Sequence, residues 1–388
     1  MRILMIAPQV FFLEKGTPLS VFYRAKALGE LGHKVDILTY HLGKDIRAKN
    51  VRIIRILRVP FIRKVKAGPS WKKFPLDFFM LLKALRLGSR QRYDCVYTHE
   101  EAAMIGALLR KWRKLPHVYD MHSSLPLQFK DWGFSSSKLL VRIARRFERW
   151  MVRNSDVIVP ICKNLADIAH GVDPSRRIIT IENTAVISDE KAASPSAIRR
   201  LRDELKLGGS KIVLYTGTFL PIQGLDLLMA SIPHVTKPSP DTKFVFVGGR
   251  GDEEMRFVEG LAVRYKARKD VLLLPSRPQE QMAAFMGLAD VLVSPRSIGI
   301  NAPLKIFSYM KSGKPIVATD LPIHTQILTK DVSVLTKTEP KAFAEGILLA
   351  LREGDEIGRR AKAMVEKRYS YAQYKKKLAQ VCSLIKAA

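Results

Sequence analysis

The stretch PLKIFSYMKSGKPIVATD, Pro303 to Asp320, reads as a short helix stopped at Gly313 and followed at once by a buried strand. Pro303 suits the first helical position, where its missing N–H is an orphan in any case. Ile306, Phe307 and Met310 supply an apolar face, and Gly313 supplies a left-handed cap. The preceding turn, Asn301 to Lys305, therefore presents free N–H groups and the positive end of the helix dipole. Lys305 adds a full positive charge there, with no acid in the first turn. Either that lysine snorkels into water, or the turn holds an anion, for which a diphosphate is the best chemical match. His122, in the segment VYDMHS, is a second candidate, although a lone histidine is more often an ordinary loop residue than a functional one. Glu100 and Glu101 are the nearest pair for acid–base work, and a helix cap or solvated loop explains them equally well.

The elements that must position these residues alternate. RILMIAP (2–8), KVDILTY (34–40), VRIIRI (51–56), DCVYTH (94–99), HVYDMH (117–122) and DVIVPI (156–161) read as strands with helices between. A second run follows: KIVLYTG (211–217), KFVFVGGRG (243–251), VLLLP (271–275), DVLVSP (290–295), PIVAT (315–319) and VSVLT (332–336). Near-continuous apolar strands separated by helices predict parallel sheets covered on both faces, with ligands at the strands' carboxyl ends. The polar segment 187–210 predicts the joint between two α/β domains, 1–187 and 188–369, with 370–388 returning to the first.

Composition narrows the partners. Of 388 residues, 66 are Lys or Arg and 36 are Asp or Glu, giving a net charge of +30 that calls for polyanionic company. The excess peaks between Val51 and Arg92, where Asp77 is the only acid. Arg63, Lys64, Lys66, Lys72 and Lys73 cluster there around Trp71, followed by a helix with Phe78, Leu82 and Leu85 on one face. That pattern fits an anionic membrane surface, or else a surface helix packing its apolar stripe on the core. Nucleic acid is disfavoured, because the basic residues fall in no helix-turn-helix, RRM or zinc-finger pattern. Three scattered cysteines form neither a disulfide framework nor a zinc site, which fits a reducing cytoplasm. The apolar start is interrupted by Pro8 and soon charged, so it reads as a strand rather than a signal peptide. No stretch approaches the ~18 apolar residues of a membrane span.

The segment ADVLVSPRSIGINAPLKIFSYMKSGKPIVATD (289–320) resembles the carboxyl-terminal signature of GT-B glycosyltransferases, in particular glycosyltransferase family 4. MRILMIAP with KGTPLSVFYRAKALGELGHKVDILT, VYDMHS, LYTGTFLPIQGLDLLMASI, FVFVGGRGDEE and LPSRPQEQMAAFMGLADVLVSP resemble further family segments in the same order. The resemblance implies two Rossmann-like doubly wound domains facing across a cleft. It implies a UDP- or GDP-linked sugar held mainly by the second domain and a lipid-linked or glycan acceptor held by the first. Transfer would retain anomeric configuration and need no metal or other cofactor. Carried over by position, His122 would contact the donor sugar, and Gly16 and Thr17 would approach the phosphates. Gly217, Thr218 and Gln223 form the second domain's first loop; Asn301, Ala302, Pro303 and Leu304 offer backbone groups. The implied setting is cell-envelope glycan synthesis, polysaccharide or lipopolysaccharide, at the inner face of the plasma membrane.

The chain departs from that pattern. The family's two glutamates fall at Ile300 and Ser308, and Ser308 offers the ribose only a neutral hydrogen bond. Thr218 and Gln223 stand where an arginine and a lysine are common, leaving Lys305 and Arg250 to face the diphosphate. A catalytically weakened binding or scaffold protein of the same fold is the competing expectation.

Overall fold

The computed structural model describes residues 1–12, 16–65, 70–131, 137–184 and 192–387. The chain divides into two compact units, Met1–Val186 with Tyr371–Ala388, and Ile187–Ser370.

In the first unit the strands are β1 (Arg2–Ala7), β2 (Lys34–Thr39), β3 (Val51–Arg55), β4 (Cys95–His99), β5 (His117–Met121), β6 (Val157–Pro160) and β7 (Arg177–Ile178). They alternate with α1 (Gly16–Glu30), α2 (Lys73–Arg90), α3 (Ala103–Arg113), α4 (Leu125–Asp131), α5 (Lys138–Arg153) and α6 (Lys163–Val172). All pairings are parallel, in the order β3-β2-β1-β4-β5-β6-β7. Strand alternation divides the core. Ile3, Met5 and Ala7 pack with α1, whereas Leu4 and Ile6 pack with α2 and α3.

The second unit repeats the plan with β8 (Lys211–Thr216), β9 (Thr242–Gly249), β10 (Val271–Pro275), β11 (Val291–Ser294), β12 (Ile316–Thr319) and β13 (Val334–Thr336). Its helices are α7 (Pro195–Glu204), α8 (Leu225–Thr236), α9 (Asp252–Arg264), α10 (Gln279–Leu288), α11 (Lys305–Ser312), α12 (Pro322–Thr325), α13 (Pro340–Glu353) and α14 (Asp355–Arg368). The parallel order is β10-β9-β8-β11-β12-β13. Both sheets are doubly wound, with the order reversing beside β1 in one and β8 in the other. The last helix, α15 (Tyr371–Lys386), belongs to the first unit, where Tyr374, Leu378, Val381 and Cys382 join the α1 side of the core.

Two local expectations change and one alternative is decided. The polar segment 187–210 contains α7, a helix of the second unit capped by Ser194, whose side chain accepts from Ala197 N at 3.2 Å. Ile198 and Leu201 give it just enough apolar surface to pack on that core. Helix α11 starts at Lys305, two residues after Pro303, because Ile306 and Phe307 donate back to the Pro303 and Leu304 carbonyls in a tight turn. Helix α2 buries Leu76, Met80, Ala84 and Leu87; of the stripe Phe78, Leu82 and Leu85, for which core and membrane surface stood as alternatives, Phe78 and Leu82 face solvent, 57% and 46% exposed, and Leu85 packs half-buried on the core.

Two glycines at the carboxyl ends of β8 and β9 set the geometry there. Gly217 has φ +139° and Gly248 φ +144°, and a Cβ on Gly248 would stand 2.0 Å from the Gly217 carbonyl oxygen. Only glycine fits both the dihedral and the approach. Gly248→Ala is expected to lower unfolding free energy by about 2–4 kcal/mol, read from denaturant midpoints against the wild type.

Candidate functional site

In the first unit the carboxyl ends of β4 and β5 carry a buried polar cluster. Asp120 is a single carboxylate inside an otherwise apolar strand, and Arg24 lies on the buried side of α1. Arg24 Nε donates to Asp120 Oδ2 at 2.8 Å and Nη2 to Oδ1 at 3.3 Å. Tyr97 OH donates to Oδ2 at 3.0 Å. The guanidinium also lies 5.1 Å from the Tyr374 ring centroid, which ties α15 to the same centre. Burial alone would raise the Asp120 pKa, but Arg24, then His122 and His99, hold it well below the usual carboxylate range.

His122 and His99 meet on this carboxylate. His122 Nε2 lies 3.2 Å from Asp120 Oδ1 and 3.1 Å from His99 Nδ1. An ionised carboxylate only accepts, so the His122 proton on this side sits on Nε2, and in the neutral ring Nδ1 becomes the acceptor nitrogen. Burial pushes His99 down to about 3, against the pull of Asp120, so it is neutral near pH 7. The next turn is also fixed: Ser123 Oγ donates to Glu100 Oε2 at 2.6 Å, and Lys73 pairs with Glu101 at 2.6 Å. Glu100 and Glu101 start a short 3-10 helix.

His99, Asp120 and His122 offer three potential metal-ligand atoms within 4.8 Å of one another. They fit a divalent cation poorly. Both Asp120 oxygens already accept from Arg24, and a second cation would stand beside an immovable guanidinium. The donor set instead suits a histidine of fixed tautomer. Gly16 is exposed and Thr17 half-buried at the start of α1, at the β1 reversal point.

In the second unit the expected donor residues converge at the carboxyl ends of β8 and β11. Lys305 does not snorkel outward. Its Nζ donates to the Thr216 carbonyl at 3.1 Å and sits 3.9 Å from the Tyr215 ring centroid, beside Gly217. Burial, then the Arg296 cation, lowers its pKa well below that of an ordinary lysine. Among the described residues no carboxylate lies within ion-pair distance of it. Gln223 Nε2 reaches Thr218 Oγ1 at 3.4 Å, and Gly224 packs against the Pro295 carbonyl, so the loops after β8 and β11 meet. Asn301, Ala302, Leu304 and Ser308 are half-buried along the α11 start, with Pro303 buried. Arg250 is exposed; its amide and that of Phe219 donate to Glu254 Oε2 at 3.2 and 2.9 Å.

Of the expected membrane-side residues, Arg63, Lys64, Trp71 and Lys72 are exposed, Lys73 is half-buried in its pair with Glu101, and Lys66 lies outside the described residues. Sequence reasoning missed Arg24, Asp120, His99 and His324. His324 bridges Ser294 Oγ and Thr319 Oγ1, each at 2.9 Å, and burial, then the Lys305 cation, lowers it to about 4. The available signal was a charge or imidazole inside an apolar run, as in VYDMH and VFYRAKAL.

The two sheets, with phosphate-compatible loops at the reversal point of the second, define a doubly wound two-domain protein of the GT-B class. Residues 15–189 match Glycosyltransferase Family 4 and residues 210–353 match Glycosyl transferases group 1, and the chain belongs to this glycosyltransferase family. It is 22% identical over 348 residues to a phosphatidyl-myo-inositol mannosyltransferase of Propionibacterium freudenreichii, covering 87% of this chain and 82% of that one. Among solved structures it resembles sucrose-phosphate synthase from Thermosynechococcus elongatus, with TM-score 0.79, 17% identity and coverage of 100% and 99% of the two chains. HepE of Anabaena, solved with UDP, gives TM-score 0.75 at 17% identity, covering 99% and 100%.

Neutral buried histidines make stability depend on pH. His99 and His117 (lowered by burial to about 4) are uncharged when folded, whereas in the unfolded chain each titrates near ~6.5. At these histidines the unfolded state thus binds more protons below ~6.5, so their contribution to stability falls with acid, while Asp77, raised by burial to about 7, acts in the opposite sense. Each histidine is expected to remove about 2 kcal/mol between pH 7.5 and 5. Denaturant titrations at the two pH values check this; His324, also lowered by burial to about 4, contributes alike, so His117→Asn should remove about a third of the histidine part.

Proposed function

We propose that this protein transfers a glycosyl group from a UDP- or GDP-linked sugar to a lipid-linked or glycan acceptor in cell-envelope synthesis, with retention and without a metal. The observation that carries this reading is Lys305. An inward lysine, held at the open end of β8 beside Arg296 and the α11 turn, with no described carboxylate opposite it, is an electrostatic vacancy for an anion. A nucleoside diphosphate matches it in charge and size. Its leaving charge is stabilised by Lys305, Arg296 and backbone N–H groups, so no metal is needed for that task. Asn301, Ala302 and Leu304 contribute backbone groups, and Ser308 offers the ribose a neutral contact.

His122, fixed by Asp120, acts on the sugar as an acceptor through Nδ1, orienting a hydroxyl rather than relaying a proton to a carboxylate pair. Retention follows from the family resemblance. HepE was solved with UDP, which supports a uridine donor, and the mannosyltransferase relative bears a phosphatidylinositol acceptor in its name, which supports a lipid-linked acceptor. No described helix is long and apolar enough to cross a membrane. The reading is of a peripheral protein on the cytoplasmic face, approached through the exposed Arg63, Lys64, Trp71 and Lys72.

One observation favours a second reading. Ile300 and Ser308 leave both family glutamate positions without a carboxylate, as in a protein that binds nucleotide sugar without turnover. Calorimetry and a transfer assay with membrane extract separate the two. His122→Ala is expected to cut turnover about 100-fold or more with nucleotide affinity retained; unchanged turnover removes His122 from the reaction. Lys305→Met is expected to weaken nucleoside diphosphate binding about tenfold, one charge-assisted contact; equal affinity overturns its assignment. Donor binding without transfer or donor hydrolysis in the wild type selects the second reading.

A further inference from the structure

Every exposed large hydrophobic side chain described in the first unit lies between Leu57 and Phe147, on or leading into one helical layer. Helices α2, α3 and α5 all cross from left to right in strand order. The right-handed rule places them together on the sheet face opposite α1 and α15. Gly88 of α2 meets Leu109 and Trp112 of α3, and Lys111 of α3 lies 5.6 Å from the Trp150 ring of α5. Each helix carries an outward apolar row at i, i+4 spacing: Phe74, Phe78 and Leu82 on α2, and Leu108 and Trp112 on α3. On α5 the row is Leu139, Ile143 and Phe147, 62%, 40% and 47% exposed.

Helix α5 is the most divided of the three. Ala144, Met151 and Val152 face the core. Lys138, Arg142, Arg145, Arg146, Arg149 and Arg153 are exposed along one flank, and the apolar row runs along the other. Its single acid, Glu148, is buried, accepts from Leu125 N at 2.9 Å and interacts with Arg145 alone of the six cations, so the basic flank keeps a large excess of positive charge. A helix of 16 residues, about 24 Å long, with an apolar flank and a basic flank seamed at its solvent apex is built to lie in an interface.

We propose that α5 is the principal membrane-contact element of this protein, seating its apolar row among lipid tails and its arginines among anionic headgroups. The α3 and α2 rows extend the same surface. Charge decides the occupant. A second copy of this face would set six cations against six, whereas an anionic bilayer supplies both counter-charge and hydrocarbon. The inference rests on the peripheral reading above and moves the main anchor from Arg63, Lys64, Trp71 and Lys72 to α5.

Vesicle co-sedimentation tests it, using phosphatidylcholine with and without 30% phosphatidylglycerol (about that fraction suffices for a strong surface potential). The full chain is compared with Ile143→Ser/Phe147→Ser, Arg142→Glu/Arg146→Glu and Phe74→Ser/Phe78→Ser. All six positions are exposed, and UDP and GDP binding by calorimetry reports the second unit independently. Expected are binding that requires phosphatidylglycerol and a loss of about tenfold or more in each α5 variant, exceeding the loss in the α2 variant. Nucleotide binding should stay unchanged. Wild-type strength in either α5 variant, equal binding to neutral vesicles, or a larger loss in the α2 variant overturns the proposal. So does self-association by light scattering that the α5 variants abolish while vesicle binding persists. Failure of the wild type to bind nucleotide would sink the transferase reading and leave the vesicle result to decide this one.

Discussion

A charge taken out of water must be matched where it lies, and in the first unit Arg24 and Asp120 match each other. Neither side chain has access to solvent to any useful degree, so removing one leaves the other uncompensated at a cost of about 3–5 kcal/mol. The pair spans elements far apart in sequence. It holds α1 to β5, takes in β4 through Tyr97, and takes in α15 through the Tyr374 ring. The last helix of the chain is thus fastened to the first by apolar packing and by the same guanidinium. His122 inherits its orientation from this arrangement, since Asp120 has one oxygen edge left to offer it. His122 is therefore held by a buried ion pair that is costly to break.

The second unit solves the opposite problem. Lys305 is also drawn inward, but its partners are a carbonyl oxygen and an aromatic face, neither of which carries a full negative charge. Its lowered pKa records that shortfall. A matched pair is a structural fastening, and an under-matched cation at the open end of a strand is a place for a ligand. The two units share a topology and differ in which kind of charge they keep at the sheet's working edge. One unit keeps a matched ion pair that orients a histidine, and the other keeps a cation whose described partners carry no full negative charge.

Much of the fold was legible because buried parallel strands announce themselves as apolar runs, and the runs at 2–8, 34–40 and 211–217 end within a residue of β1, β2 and β8. The two-residue β7 was not, since Arg177 and Ile178 carry no period to detect. Nor was α7, whose polar sequence hides the few apolar contacts that hold it. Lys305 was visible as an oddity of charge, but its inward turn depends on the Tyr215 ring, 90 residues earlier, which no local pattern connects to it. Arg24 and Asp120 were individually visible as charges in apolar runs. Their partnership was invisible, because 96 residues separate them and only the sheet order β1-β4-β5 brings them together.

The outward stripe of α2 shows why periodicity alone misleads at a surface. Phe78 and Leu82 repeat at helical spacing as convincingly as Leu76, Met80 and Ala84 do, and a helix has only one face for the core. When a helix carries two apolar stripes, the sequence cannot say which is covered by the protein and which by something else. Burial resolves it: Leu76, Met80, Ala84 and Leu87 are inside, and Phe74, Phe78 and Leu82 are outside beside Trp71, which stacks on Phe74 at 5.4 Å. Leaving such rings in water on three neighbouring helices is costly at roughly 25 cal/mol per Å² of apolar surface. Among its described residues the second unit, with the same architecture, exposes Leu220, Val263, Ile298 and Leu349, which are scattered along the chain. An excess confined to one layer of one unit, among arginines that outnumber the acids beside them, is the sign of a surface shaped for a partner rather than for water.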